Sequence, residues 1–447
     1  MSGKDNVDWS DLERPTPQWF KNAKLGIFVH WGVYSLPAWA EPTAELGTVE
    51  DPLEWFTHNP YAEWYYNTIR IPGSPAAEHH RKEWGGCDYD DLLDQWHMDS
   101  FDASELMELF KESGADYVVL TTKHHDGITL WDAVGTGDRN TVKRGPHQDL
   151  VGAYADAARK AGLRFGTYYS GGLDWHVRPF PPHTTHESVN EGDRPRDEEY
   201  AKYAAAHIDE LVERYHPDVL WNDINYPDAA KNTTEPYGLG QLFARYYEAC
   251  PEGVVNDRWK VPHCDYVTSE YQMNLDNEDL GIWENCRGLG LSFGYNQVEG
   301  PENGPHPRTL LHTIVDAAVR DGRILLGVGP KADGTIPEWQ ADSLRAIGRW
   351  MQVAHPILAG IDHRGSATAS ASDGAWAEVG SDGTTEFLFA APEDPTVDSA
   401  EFDVELTDAS VATVVPVQGV RVDQDGTCLH ISCEAGWAGP AIIELSK

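Results

Sequence analysis

The sequence predicts an α/β fold, a (β/α)8-like TIM barrel over residues 1–355 followed by an antiparallel β-sandwich domain over residues 356–447. Two patterns in the 447-residue chain indicate this architecture. Short apolar, β-rich runs alternate with amphipathic segments about eight times within the first ~350 residues, as a barrel of parallel strands and helices requires. From Ala367 onward the chain is rich in small residues, alternating runs and Asp-Gly pairs, which are typical of antiparallel hairpins.

The expected barrel strands are nearly continuous apolar runs, because a parallel strand is buried on both faces. The clearest are LGIFVHWG, YVVLTTK, LRFGTYYS and DVLWND, which begin at Leu25, Tyr117, Leu163 and Asp218. Weaker runs begin at Gly253 and Asp265, then near GIWENC or LSFGYN, and at Arg323. The segment from about residue 33 to 100 is too long for a simple connection, so we expect it to form loops over the C-terminal end of the first strand.

Helices are expected between these strands. Asp102 with Glu105 forms a variant of the capping box, and Gly114 is the expected end of that helix. A longer helix places apolar and aromatic side chains at 3.6-residue spacing between Tyr200 and Tyr215. Further helices are expected at roughly 148–162, 237–250, 307–321 and 338–354.

The charge balance limits the classes of partner. Acidic residues outnumber basic ones by 73 to 34, which gives a formal net charge of −39, and such a surface repels nucleic acid and anionic membranes. Because the sequence shows no signal region and no apolar run long enough to cross a membrane, a cytoplasmic protein is expected. The six cysteines lack CxxC spacing, so reduced thiols are expected rather than disulfides or zinc ligands.

Polar and aromatic side chains recur at the ends of the predicted strands. Active sites of TIM barrels are built from the C-terminal ends of several strands. Six of these ends have such side chains: His30-Trp31, His124-His125-Asp126, Tyr168-Tyr169, Trp221-Asn222-Asp223, Asp257-Arg258-Trp259 and Glu270-Tyr271. A carboxylate at a strand tip beside an indole, as in the WND segment, is where a sugar hydrolase places its nucleophile. The 17 Trp and 19 Tyr fit a carbohydrate site, although most of these rings are expected in the core.

The consecutive histidines His124 and His125 raise the question of a metal. Consecutive strand residues point to opposite faces, no third ligand is evident and no HExxH motif occurs. We therefore expect no metal and instead hydrogen bonds from these rings to sugar hydroxyls. The glycine-rich pieces fit neither nucleotide-binding fingerprint, and no GxSxG motif is present. No cofactor is expected.

A series of motifs over roughly residues 15–350 resembles glycoside hydrolase family 29, the α-L-fucosidases. In order, they are WFKNAKLGIFVHWGVYSLPAW, NPYAEWYYN, YVVLTTKHHDG, RFGTYYSGGLDW, VLWNDINYPD, NDRW, SEY, LSFGYN and GVGPKADGTIP. The resemblance implies a retaining exo-α-L-fucosidase that releases terminal α-L-fucose from fucosylated oligosaccharides or glycosides. The reaction would proceed by double displacement through a covalent fucosyl-enzyme intermediate.

The resemblance also implies roles for individual residues. Asp223 matches the nucleophile and Glu270 the general acid/base. Glu63 is the next candidate for the acid, because its loop is expected to face the same site. The residues that would contact the substrate are His30, Glu63, Trp64, His124, His125, Tyr169, Trp221, Arg258 and Phe293, with Tyr168 as the alternative to Tyr169. Phe293 would lie beneath the fucose methyl group. One departure is Gly327, where the family commonly has Asn.

Two other functions remain open from the sequence. The first is another retaining α-L-glycosidase, such as one that accepts α-L-galactosides, which differ from fucosides at C6. The second is a catalytically inactive carbohydrate-binding protein on the same barrel. The presence of both Asp223 and Glu270 argues against the second.

Overall fold

The computed structural model describes residues 7–272 and 281–446. The larger of its two regions is built around a curled sheet of eight parallel strands. The strands are β1 (Leu25–Val29), β2 (Tyr117–Lys123), β3 (Arg164–Ser170), β4 (Val219–Asp223), β5 (Val254–Val255), β6 (Val267–Glu270), β7 (Trp283–Gly288) and β8 (Gly322–Val328). Their order in the sheet is β5-β4-β3-β2-β1-β8-β7-β6. The two outer strands meet at a parallel bridge between Asn256 and Tyr266, which brings the sheet round on itself. The (β/α)8-like prediction is confirmed.

Side-chain alternation along each strand divides the barrel core into two clusters. Phe28, Tyr168 and Trp221 belong to an aromatic cluster inside the barrel. Their neighbours Ile27 and Tyr169 belong to the cluster between the sheet and its helices. Both clusters are buried, which explains why the strands read as continuous apolar runs rather than alternating ones.

The helices follow the expected pattern. They are α1 (Gln18–Asn22), α2 (Pro52–Thr57), α3 (Tyr65–Thr68), α4 (Pro75–Glu83), α5 (Asp91–Gln95), α6 (Ala103–Glu112), α7 (Leu150–Ala161), α8 (Glu198–Tyr215), α9 (Leu239–Ala249), α10 (Pro307–Ala318) and α11 (Glu338–Leu358). Asp102 caps α6 by accepting hydrogen bonds from the amides of Ser104 and Glu105, at 2.8 and 3.3 Å. Gly114 ends this helix with a φ of +86°, a conformation that favours glycine.

The long segment after β1 holds more regular structure than the sequence indicated. It includes α2 to α5 and a 3-10 helix over Ala62–Trp64. Short helices of this kind have little periodicity, so a search for amphipathic patterns misses them. The tight turn of the 3-10 helix places Glu63 and Trp64 in the cavity described below.

The C-terminal region consists of two antiparallel sheets, as predicted. Its strands are β9 (His363–Arg364), β10 (Thr368–Ala371), β11 (Ala375–Ser381), β12 (Glu386–Pro392), β13 (Ala400–Thr407), β14 (Ser410–Val415), β15 (Val420–Asp425), β16 (Cys428–Cys433) and β17 (Ala441–Ser446). One sheet has the order β10-β13-β16-β15 and the other β14-β17-β12-β11-β9. A shared apolar core that includes Leu388, Val404, Ile431 and Ile443 fills the space between them.

The two regions pack directly on each other. The Trp350 indole on α11 donates to the carbonyl of Pro440 at 2.9 Å, and the Arg308 guanidinium on α10 lies 3.9 Å from the centre of the Trp437 ring. The division of the chain into two domains after residue 355 stays a prediction. This position lies in the last turn of α11. Residues 1–6, 273–280 and 447 of the two predicted ranges lie outside the described residues. Among the described helices, none is long and apolar enough to span a bilayer.

Candidate active site

A cavity of about 180 Å³ opens at the C-terminal end of the barrel strands. Of the residues that the sequence assigned to a site, those that line it are His30, Glu63, Trp64, His124, His125, Trp221, Asp223, Arg258, Glu270 and Phe293. Tyr61, Tyr168 and Cys286 also contribute to its wall. Side chains from distant parts of the chain therefore converge where a barrel enzyme builds its site.

Asp223 ends β4 and is bound on both carboxylate oxygens. Oδ1 accepts from Nη1 of Arg258 at 2.8 Å, and Oδ2 accepts from the Tyr168 hydroxyl at 2.8 Å. Nε2 of His125 lies 3.7 Å from Oδ2. Burial alone would raise the pKa of Asp223, but the charge of Arg258 and these donors outweigh it and hold the pKa below its usual value. Asp223 is thereby kept ionised.

Glu270 ends β6, and its neighbours stabilise its ionised form less than those of Asp223 do. Its Oε2 accepts from both terminal nitrogens of Arg258 at 3.1 Å, and its Oε1 accepts from the Tyr61 hydroxyl at 3.1 Å. Burial and the negative charge of Asp223 raise the pKa of Glu270, and Arg258 offsets these effects only in part. The pKa values of the two carboxyl groups are thus displaced in opposite directions, which is how a site assigns one carboxylate and one acid.

Arg258 lies between the two carboxylates and is itself held in place. It follows β5 in a 3-10 helix over Asp257–Trp259, and its Nε donates to the Thr268 hydroxyl at 3.0 Å. Its guanidinium lies 4.6 Å from the centre of the Trp221 ring. Nη1 contacts both Asp223 Oδ1 and Glu270 Oε2. The rigid planar guanidinium therefore fixes the spacing of the two acids.

Three of the histidines that line the cavity, His30, His124 and His125, are neutral. Burial lowers the pKa of His30 and of His125 to about 3, and it lowers the pKa of His124 well below its usual value. His125 Nδ1 is 2.7 Å from the Ser170 hydroxyl, whereas within the described residues the Nδ1 atoms of His30 and His124 have no hydrogen-bond partner. Neutral imidazoles can both donate and accept, so these rings suit sugar hydroxyls.

The expectation that His124 and His125 face opposite ways is wrong. Both rings line the cavity, and their centres are 4.0 Å apart. The reason is that β2 ends at Lys123, with a register shift between Thr121 and Lys123, so strict alternation has already ended at the histidines. Strand alternation therefore does not prevent both rings from binding one metal ion. The absence of a catalytic metal stays a prediction.

The structure separates the two candidate tyrosines. Tyr168 points into the barrel and reaches Asp223, whereas Tyr169 points outward and its hydroxyl is 3.0 Å from Nδ1 of His207 on α8. Consecutive strand residues face opposite sides, so only one of the two can line the cavity. The placement of Tyr169 against substrate is therefore contradicted, and Tyr168, the alternative, occupies that position.

The loop around Glu63 forms another part of the cavity wall. Glu63 Oε2 accepts from the Ser292 hydroxyl at 3.0 Å and from the Gly294 amide at 2.9 Å, while burial raises its pKa to about 7. The Trp64 ring meets His125 edge-on at 5.1 Å. Tyr61, which lies in the same motif, is a residue of the site that the sequence does not predict. Its contact with Glu270 joins residues 209 positions apart, and no local signal indicates it.

Phe293 supplies an apolar surface within this polar site. Its ring stacks on His30 at 4.9 Å and meets Tyr61 and Tyr271 edge-on at 5.7 and 5.3 Å. Gly327 lies directly behind it, because a Cβ at this position would be 2.8 Å from the Phe293 ring. A side chain larger than glycine at residue 327 would therefore require Phe293 to move.

Comparisons with known proteins identify the family of the chain. The family model described as "Alpha-L-fucosidase" matches residues 2–355. The α-L-fucosidase of Dictyostelium discoideum is 31% identical over 355 residues, which cover 77% of this chain and 72% of that protein. Human tissue α-L-fucosidase is 32% identical over 359 residues, covering 77% of this chain and 70% of that protein.

Solved structures extend the likeness to the whole chain. The Thermotoga maritima α-fucosidase in complex with fucose is 39% identical with a TM-score of 0.83, covering 99% of this chain and 100% of that one. A Thermotoga maritima α-L-fucosynthase in complex with α-L-Fuc-(1-2)-β-L-Fuc-N3 is 40% identical with a TM-score of 0.84, at the same coverage. The chain therefore belongs to glycoside hydrolase family 29, the α-L-fucosidases.

Proposed function

We propose that the chain removes terminal α-L-fucose from fucosylated oligosaccharides or glycosides with retention of anomeric configuration. The observation that best supports this proposal is a single guanidinium, that of Arg258, which contacts Asp223 and Glu270 while their pKa values are displaced in opposite directions. The fucose-containing ligands in the related structures from Thermotoga maritima support the choice of sugar.

The spacing of the two acids favours retention over inversion. Nη1 of Arg258 is 2.8 Å from Asp223 Oδ1 and 3.1 Å from Glu270 Oε2, so these two oxygens can be no more than about 6 Å apart. Retaining glycosidases hold their carboxyl groups about 5–5.5 Å apart, whereas inverting ones need about 6.5–9.5 Å to admit a water. This upper limit on the spacing supports a retaining mechanism, in which no water has to fit between the two groups.

In the first step, Asp223 attacks the anomeric carbon and Glu270 donates its proton to the departing glycosidic oxygen. A bond forms between Asp223 and the sugar as the bond to the leaving group breaks. In the second step, Glu270, now ionised, takes a proton from a water that attacks the same carbon, which releases Asp223. The low pKa of Asp223 and the raised pKa of Glu270 define the pH window in which both are in the required form.

The remaining wall groups account for the choice of sugar. The neutral rings of His30, His124 and His125 offer hydrogen bonds to hydroxyl groups on one side of the cavity. The Phe293 ring offers an apolar contact that suits the C6 methyl group of fucose. An α-L-galactoside would place its C6 hydroxyl against this ring, where the hydroxyl would lose its hydrogen bonds to water. We therefore expect it to be a poorer substrate.

The proposal is tested by following an aryl α-L-fucoside by proton NMR from the first seconds of reaction. The anomer formed before mutarotation should be α-L-fucose, as a retaining mechanism requires. The matching α-L-galactoside serves as the control substrate and should give a lower kcat/KM. First-formed β-L-fucose would refute retention, a preference for the galactoside would refute the assigned sugar, and no turnover of either would indicate a binding protein.

A further inference from the structure

A cysteine and a histidine lie side by side on the outer face of the β10-β13-β16-β15 sheet, far along the chain from the catalytic residues. Leu429 and Ile431 on β16 point into the sandwich core, so Cys428 and His430 point outward. In the register of this sheet, Asp403 on β13 lies opposite His430. The chain places a thiol, an imidazole and a carboxylate on one rigid surface.

These three side chains are close enough to share an ion. A carboxylate oxygen of Asp403, the sulfur of Cys428 and a ring nitrogen of His430 all lie within 4.8 Å of one another. The His430 Nδ1 atom is 2.6 Å from Asp403 Oδ1. Tetrahedral zinc with bonds of about 2.0–2.3 Å holds its ligand atoms roughly 3.5 Å apart. Small side-chain rotations would bring this group to that spacing.

The surroundings favour a cation. On the other side of β16, strand β15 places Asp423 opposite His430 and Asp425 opposite Cys428. The nearby base Arg421 pairs with Glu434 at 2.8 Å. A group of carboxylates around the thiol and the imidazole attracts positive charge and can supply a further oxygen ligand.

We propose that Asp403, Cys428 and His430 form a binding site for one divalent transition-metal ion, with Zn²⁺ as the best chemical match. Sulfur, nitrogen and oxygen ligands together suit zinc, whereas calcium and magnesium prefer oxygen ligands alone. Asp423 or a water would complete four-coordination. The ion would join β13 to the β15–β16 hairpin, so its role would be to stabilise the C-terminal sheets rather than to take part in catalysis.

The proposal is tested with the full chain, freed of metal by a chelator and kept reduced, to which Co²⁺ is added. Cobalt bound by a thiolate gives a sulfur-to-metal charge-transfer band in the near ultraviolet, and Zn²⁺ should displace it. The test variants are Cys428→Ser and His430→Ala. The matched control is Cys87→Ser, because Cys87 is also a partly exposed thiol and its carbonyl is 2.9 Å from His80 Nε2. Circular dichroism establishes that each variant is folded.

We expect one equivalent of cobalt to bind to the wild type and to Cys87→Ser with the thiolate band. Cys428→Ser should lose the band, and His430→Ala should bind at least about tenfold more weakly. Zinc should also raise the melting temperature of the wild type but not of Cys428→Ser. Absence of the band in the wild type, or its persistence in Cys428→Ser, would overturn the proposal and leave Asp403 and His430 as a surface ion pair.

Discussion

The hydroxyl of Tyr61 should tune the acid/base group, and its removal gives a sharp test of the site. Tyr61 donates to Glu270 Oε1 at 3.1 Å, and this contact favours the ionised form of Glu270 and so opposes the rise of its pKa. Tyr61→Phe removes the donor but keeps the ring against Phe293. The pKa of Glu270 should therefore rise further, and the basic limb of the kcat/KM profile should move to higher pH.

The size of this shift follows from the hydrogen bond. A bond to a charged group contributes about 1.5–3 kcal/mol, and one pKa unit corresponds to about 1.4 kcal/mol. Because Arg258 still binds the other oxygen of Glu270 in the variant, we take the lower end and expect a shift of about one pH unit. The assay is hydrolysis of an aryl α-L-fucoside over a range of pH, with kcat/KM fitted to the two limbs.

Tyr271→Phe provides the matched control for Tyr61→Phe. The Tyr271 ring also packs against Phe293, but its hydroxyl donates to the carbonyl of Leu291 rather than to a catalytic group. This variant should leave the basic limb in place. If Tyr61→Phe leaves the limb unmoved, moves it to lower pH, or behaves as Tyr271→Phe does, the assignment of Glu270 as the group that governs that limb is refuted.

Four further outcomes are expected. Asp223→Ala should lower kcat by about 10⁴-fold or more, and azide should partly restore turnover and yield the β-linked azide; near-wild-type activity would contradict its role as nucleophile. Glu270→Ala should slow natural fucosides by about 10²–10⁴-fold but spare substrates with activated leaving groups, and equal losses on both would indicate a structural role. Tyr168→Phe should lower kcat/KM and move the acidic limb to higher pH because Asp223 loses a donor, whereas Tyr169→Phe should change only stability. Full activity should survive dialysis against a strong chelator; a loss that zinc reverses would show that catalysis needs an ion.

The fold and most of the cavity could be predicted because they follow from local pattern. Buried parallel strands read as apolar runs, and their C-terminal ends meet on one side of a barrel. Asp223, Arg258 and Glu270 follow such runs directly, so their convergence needs only the topology. The short helices over the barrel have no comparable signal, because all of them except α4 are shorter than two turns and display too little periodicity.

The sequence does not predict which side of a strand a given side chain points to, or which residues of distant strands lie opposite each other. Whether Tyr168 or Tyr169 points inward is decided by which residue begins the strand, and the sequence leaves both possible. His124 and His125 share the cavity because β2 ends just before them. The pairing of Asp403 with His430 likewise needs the register of two strands that are separated along the chain.

The central step of the proposed mechanism is a covalent bond between the sugar and Asp223. The direct measurement is to treat the protein with a 2-deoxy-2-fluoro-fucosyl fluoride, which slows the second step more than the first, and to find the labelled peptide by mass spectrometry. One sugar per chain on the peptide that contains Asp223, with loss of activity in the same proportion, is the predicted result. A label on another carboxylate, such as Glu63 or Glu270, or turnover with no trapped species, would contradict the account.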